Sequence, residues 1–161
     1  MKTSQIVDEF ERSWKFTRSL TLEFAEAIPA EFWHFTFNEK YSPLCKQLRH
    51  MIWVTGLYTD ALMNGRLDFK KKKTFYSGGL AREEIISALR DSDKVLLRWL
   101  SNTKKDEVDL NAVDAFGSSM EFIEFAQLLI EHEGNHHGLW SAYAALAGFS
   151  TPKSWKDNWG L

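Results

Sequence analysis

The residues best suited to chemistry lie in one stretch, Leu128 to Tyr143, reading LLIEHEGNHHGLWSAY. It sets His132 and His136 four residues apart within a long helix-forming run. Side chains at i and i+4 share one face of a helix, so both imidazoles can reach a single metal ion. Two ligands do not complete a zinc-type site, which takes three or four nitrogen, sulfur or oxygen donors. The same spacing also describes two core histidines that are satisfied separately by hydrogen bonds. The third ligand therefore decides the reading.

His50 is the candidate. It shares a stripe with Val54, Leu57 and Ala61 on an earlier helical segment, so its ring points toward a neighbouring helix. A buried imidazole carries a donor and an acceptor that both need partners, and binding a metal settles one nitrogen of each ring while a neighbouring acceptor settles the other. One shared ion thus accounts for three otherwise awkward residues. His137 lies about a quarter-turn from His136 and reads as a supporting, surface or interface residue rather than a ligand. Gln47 and Glu131 stand near the ligands in sequence and are candidates for orienting a ring or relaying a proton, although ordinary helix roles account for both. His34, alone in an aromatic connector, reads as a surface or packing residue.

Four helical segments must position these groups. The first begins near Thr3 or Ser4, carries Ile6, Phe10, Trp14, Thr17, Leu20, Phe24 and Ala27 on one face with Glu9, Arg12, Lys15 and Arg18 on others, and stops at Pro29. The connector IPAEFWHFTFNEKY is expected to fold back over the bundle end. Ser42-Pro43 reads as the start of the second helix, with the hydroxyl as cap and the proline at the first helical position, and Asn64-Gly65 as its stop. A third amphipathic helix spans Ala81 to Ser101. The polar segment 102–117 is a crossing connection with a brief Val108, Leu110 alternation that suggests a short extended piece. Ser118 to Glu121 matches a capping box for the fourth helix, which keeps its spacing through Phe122, Phe125, Leu129, His132, His136, Leu139, Tyr143 and Leu146 to Gly148. Trp155 and Trp159 in the tail are expected to pack back on the domain or across a subunit contact. These elements, with no convincing strand pair, predict an all-α four-helix bundle with long connectors, as one domain over residues 1–161.

Composition narrows the function classes. With 161 residues, 44% hydrophobic content, seven Trp and twelve Phe, the chain is far from the disordered regime and long enough for one sizeable core. A net charge of −2 and a pI near 6.2 give no global electrostatic case for nucleic acid or an anionic membrane surface. The basic run Lys70 to Lys73 reads as a solvated loop in preference to a phosphate-binding patch. Cys45 stands alone, so no intramolecular disulfide forms. No stretch approaches the roughly 20 apolar residues that span a bilayer, and the N-terminal residues lack the apolar core of a signal peptide, so cytoplasm is the default location.

The blocks SPLCKQLRHMIWVTGLYTDAL around His50 and EHEGNHHGLWSAYAALAGFSTP around His132 and His136 resemble the DinB-like, or DinB/YfiT-like, metalloprotein family. One departure is that the family's last ligand is commonly followed by Arg-Gly-Gln, whereas His136 is followed by His137, Gly138 and Leu139. The resemblance implies a bundle of up-down-down-up connectivity, often a homodimer, with zinc or nickel held by His50, His132 and His136 and with positions left open. It also implies a small-molecule substrate. Some members of the family transfer low-molecular-weight thiols to electrophiles or isomerise maleylpyruvate with thiol assistance. The expectation is therefore a bacillithiol-type thiol S-transferase acting on small electrophiles, with the thiol as cosubstrate. The alternatives are a metal-dependent hydrolase and a non-catalytic metal-binding stress-response dimer.

Overall fold

A computed structural model describes residues 3–105 and 110–160. Four long helices dominate, α1 (Thr3–Ala27), α2 (Leu44–Asn64), α3 (Arg82–Lys105) and α4 (Phe122–Ala147), with a short α5 (Lys153–Trp159) closing the described chain. Contacts along their lengths fix the directions. Phe10 meets Phe122 and Phe24 stacks on Trp140, so α1 and α4 run together. Tyr58 stacks on Phe125 while Gln47 bonds Trp140, so α2 opposes α4. Lys104 pairs with Asp8 and Arg90 with Glu26, so α3 opposes α1. None of the helices among the described residues is long and apolar enough to cross a membrane.

Two helix starts differ from the sequence-based expectation, and in both the backbone finds other partners. Pro43 stands just outside α2 and no side chain caps it. Instead the aromatic connector folds across the helix start, where the carbonyls of Phe35 and Trp33 accept from the N–H groups of Leu44 and Cys45 at 3.2 and 3.1 Å. These bonds satisfy first-turn donors that the Ser42 hydroxyl was expected to take. At α4, Ser118–Met120 is not a cap but β2, paired antiparallel with β1 (Val113–Ala115). The turn places Phe116 at φ 52° and Gly117 at φ 84°, the positive pair that a tight two-residue hairpin needs. Val113 and Ala115 are buried by this hairpin. The helix then begins after Glu121, whose capping box is completed by Glu124. The alternation noted at Val108 falls partly outside the described residues. The stops at Gly65 and Gly148 are as expected, each glycine left-handed, at φ 71° and 85°.

The core falls into two apolar clusters. One gathers Phe24, Leu48, Met51, Trp140, Tyr143 and Trp155, and the other gathers Phe10, Trp14, Tyr58, Leu96, Phe125 and Leu129. Trp155 is fully buried and stacks on Phe24, and Trp159 contacts it edge-on, so the tail packs back on the bundle. Leu146, in contrast, is exposed on α4. Between the clusters lies a polar layer, described below with the site.

The lysine run is not a free loop. Residues Phe69–Phe75 form a 3₁₀ strap laid on α2. Asp68 caps the backbone N–H of Lys70, Lys71 pairs with Asp60 at 3.0 Å, and the Trp53 indole donates to the Tyr76 carbonyl at 3.0 Å. The Phe75 ring sits against Gly56, so closely that a Cβ there would lie 2.5 Å from its Cγ. Lys70, Lys71 and Lys73 are exposed as expected, but Lys72 is half-buried. The substitution Gly56→Ala should therefore overpack this contact and destabilise the fold by about 1–3 kcal/mol. Urea unfolding monitored by circular dichroism would read the loss.

Candidate metal centre

Helical spacing on α2 and α4 brings His50, His132 and His136 together. Each offers one ring nitrogen such that the three atoms lie within 4.8 Å of one another. The Nε2 atoms of His50 and His132 are 3.2 Å apart, and ring centroids across the trio are separated by 4.9–5.4 Å. Two nitrogens bound tetrahedrally to one zinc at 2.0–2.1 Å stand about 3.4 Å apart. The closest pair already has that spacing, and the rest of the trio needs only small side-chain movement. All three rings are half-buried rather than sealed in the core, so the site is open to solvent.

Electrostatics suit a cation. Burial pushes the His50 imidazole down to about 3, with Lys72, His132 and His136 adding to the effect. His136 is lowered to about 4 by burial, then by His132 and Lys72, and His132 is lowered by burial and Lys72. The His50 and His136 rings are therefore neutral, the form that binds metal, well below neutral pH, and His132 is shifted in the same direction. Nδ1 of both His132 and His136 is buried without a hydrogen-bond partner, so only the other nitrogen of His132 is engaged, by His50. An all-imidazole donor set of this spacing fits a divalent transition metal, which His50, His132 and His136 would hold.

Gln47 and Glu131 do not join them. Gln47 is buried, donating to the Ser42 carbonyl at 2.7 Å and accepting from the Trp140 indole at 2.9 Å, so its amide ties the start of α2 to α4. Glu131 is exposed on α4. His34 is exposed at the bundle end, with its Nδ1 3.3 Å from the buried Cys45 thiol. The large groove between α2 and α3, about 890 Å³, is lined by Ile52, Met63, Phe75 and Val95 among others, and by none of the histidines.

A second i,i+4 pair on α4, Glu133 and His137, was missed as a constellation. It faces α1 a quarter-turn from the first and forms the polar layer between the two apolar clusters. His137 is neither at the surface nor at an interface but 2% exposed. Arg18, expected on an outer face of α1, is 1% exposed and pairs with Glu133 at 3.1 Å. Its guanidinium also donates to the Thr55 hydroxyl of α2 and lies over the Trp14 ring, whose indole donates to Asp93 of α3. The Thr21 hydroxyl donates to the Glu133 carboxylate and lies 2.6 Å from His137 Nε2. With its single proton given to Glu133, Thr21 must accept from His137, which places the ring proton on Nε2. The salt-bridge geometry favours an ionised Glu133, yet burial outweighs Arg18 and holds the carboxyl above its usual range. A signal for this layer exists in the sequence, because Glu133 and His137 repeat the spacing of His132 and His136.

The model of the DinB family matches residues 1–155, and the chain belongs to that family. Among solved structures, a DinB-like protein from Bacillus subtilis superposes with a TM-score of 0.66 at 21% identity, over 92% of this chain and 95% of that one. Its similarity establishes the shared fold. No curated protein matches this chain in sequence.

Two outcomes follow for the metal-free protein. Glu133→Ala strands Arg18 in the interior and should cost about 3–5 kcal/mol, whereas Arg18→Met with Glu133→Leu should recover most of it. Chemical denaturation of the native protein and both variants measures this. For pH, His136 binds its proton in the unfolded chain near 6.5 but in the folded chain only near 4, so stability is lost as pH falls between those values. The loss between pH 7 and 5 should be about 1–2 kcal/mol smaller in His136→Gln than in the native chain, read from denaturant midpoints at each pH.

Proposed function

We propose that this DinB family protein holds zinc or nickel with His50, His132 and His136 and transfers a low-molecular-weight thiol to small electrophiles. The observation that carries the reading is the convergence of three neutral, half-buried imidazoles from two helices, on a side of the bundle open to solvent. When bound, the metal would lower the pKa of a thiol so that it is present as the nucleophilic thiolate at neutral pH.

The chain's own residues do the rest. The three rings hold the ion without neutralising it, since no carboxylate is among the ligands. They keep their lone pairs free of protons because burial and each other's proximity disfavour the imidazolium form. Gln47 and the Glu133 layer orient α2 and α4 on either side of the site without touching substrate. A hydrolase reading gains less support. A hydrolase would draw on a general base beside the ligands, and the buried carboxylate on that stretch of α4, Glu133, is turned toward α1 and engaged by Arg18 and Thr21.

Metal analysis tests the first half. The native protein should carry about one transition-metal ion per chain, and His50→Ala and His132→Ala should each lose it while keeping the helical circular dichroism spectrum. A panel of low-molecular-weight thiols assayed against a chromogenic electrophile tests the second half. The expected result is a thiol-dependent rate that chelation abolishes and metal restores. Full metal retention in both alanine variants would overturn the site. A loaded protein with no metal-dependent rate for any thiol would leave the non-catalytic metal-binding reading in place of the transferase.

A further inference from the structure

The groove of about 890 Å³ between α2 and α3 plays no part in the metal-binding reading, and none of the histidines lines it. Its origin is the path of the chain. Helices α2 and α3 run in the same direction, since α2 opposes α4, α3 opposes α1, and α1 and α4 run together. A connection between parallel neighbours must travel back along their length, and here it does so as the strap laid on α2. Phe75 and Tyr76 thereby become part of the groove lining. Both are fixed, Phe75 by its seat on Gly56 and Tyr76 by the Trp53 indole that bonds its carbonyl.

The lining combines apolar surface with negative charge. Ile52 is buried and Ala88 half-buried, while Met63 and Val95 are 51% and 53% exposed. Large apolar side chains left open in a concave site mark a place where something binds, and a volume of this order suits a small organic molecule. Four carboxylates, Asp60, Glu83, Glu84 and Asp91, line the same groove, and no Lys, Arg or His is among the lining residues. Lys71 pairs with Asp60 at 3.0 Å and Lys94 with Asp91 at 2.8 Å, both from outside the lining. Glu84 accepts from the Gly79 N–H at 3.0 Å, and Glu83 has no ion-pair partner among the described residues. The helix dipole accounts for Glu83 and Glu84 in the first turn of α3 but not for Asp91 in its middle. Two of the four charges are thus left without a neutralising cation, beside an apolar surface that weakens screening.

We propose that this groove is a second binding site, which takes an organic cation with an apolar body, of the aryl or alkyl ammonium class. The inference is independent of the metal-binding reading. The apolar body displaces water from Ile52, Ala88 and Phe75, and the ammonium lies among the carboxylates with the Tyr76 ring beside it. A neutral molecule of similar shape gains only the apolar part, and an anion is repelled.

The test is calorimetric titration of the full chain with three naphthyl probes of similar shape, trimethyl(1-naphthylmethyl)ammonium, 1-naphthalenemethanol and 1-naphthylacetate. A quaternary ammonium has no lone pair and cannot ligate the metal centre. The cation should bind about ten-fold more tightly than the alcohol, equivalent to about 1.4 kcal/mol, and the carboxylate should not bind measurably. Ala88→Phe, which fills the groove, should abolish binding of the cation. If that variant loses the native thermal midpoint, Ser87→Trp, at an exposed lining position, serves in its place. Glu83→Gln combined with Asp91→Asn should remove most of the preference for the cation while leaving the alcohol's affinity unchanged. His132→Ala should bind the cation as the native chain does. No binding of the cation, equal affinity for cation and alcohol, or binding that survives a folded groove-filling variant would overturn the proposal. Loss of cation binding in a folded His132→Ala would overturn it as well. A native protein that binds no cation but sediments as a dimer, and becomes a monomer on Ser87→Trp, would assign this face to a second copy of the chain instead.

Discussion

The buried pair of Arg18 and Glu133 is the interaction on which the rest of the structure depends. Two ionisable groups, each 1% exposed, sit at mid-height between two apolar clusters. Desolvating them is costly, and their attraction offsets that cost only if hydrogen bonds satisfy what the pair leaves over. Thr55 accepts from the guanidinium and Thr21, itself bonded to His137, donates to the carboxylate, while Nε and Nη1 of Arg18 are left without a hydrogen-bond partner and Trp14 covers the guanidinium with its ring. Every long helix contributes to this layer or to its edge, α3 through Asp93. The layer therefore constrains how each helix is rotated and how far it is slid along its neighbours.

The consequence for the metal centre is geometric. Helix α4 carries two histidine-containing pairs a quarter-turn apart, and only one can face α1. Because Glu133 and His137 are committed to Arg18 and Thr21, His132 and His136 must face α2, where His50 meets them. A well-packed apolar substitute could match the pair's stability, as buried ion pairs often permit. It would give up the directional bonds that index α4. In this protein the buried charges are best understood as setting rotation.

The site itself combines a fixed frame with an open face. The ligands stand on long helices whose ends are closed by backbone bonds, with the connector carbonyls at the start of α2 and left-handed glycines at the stops. Such a frame holds ligand geometry more closely than loops do. Along α2 lies the strap, held by Lys71 on Asp60 and by Phe75 against Gly56. Neutral ligands and solvent access together describe a centre whose remaining charge is left for the ligand to balance.

Periodicity and turn chemistry in the sequence determined the four helices, their glycine stops and the three imidazoles, because each depends on spacing within one segment or on one residue's backbone freedom. They also separated His137 from the ligands, since its direction follows from the helical angle alone. The tertiary structure decided what depends on partners distant in the chain. Ser118 matched a capping box but joined a hairpin, because pairing with Ala115 buries Val113 and Ala115 and leaves capping to Glu121. Arg18 looked like one more charge on an outer face, and only Glu133, on the last long helix, turns it inward. Lys72 is one of four lysines in a row, and only the folded strap leaves it half-buried while Lys70, Lys71 and Lys73 stay exposed. Local rules say which side chains share a face, whereas the identity of the facing partner, and hence whether a charge is solvated or buried, is set only when the helices meet.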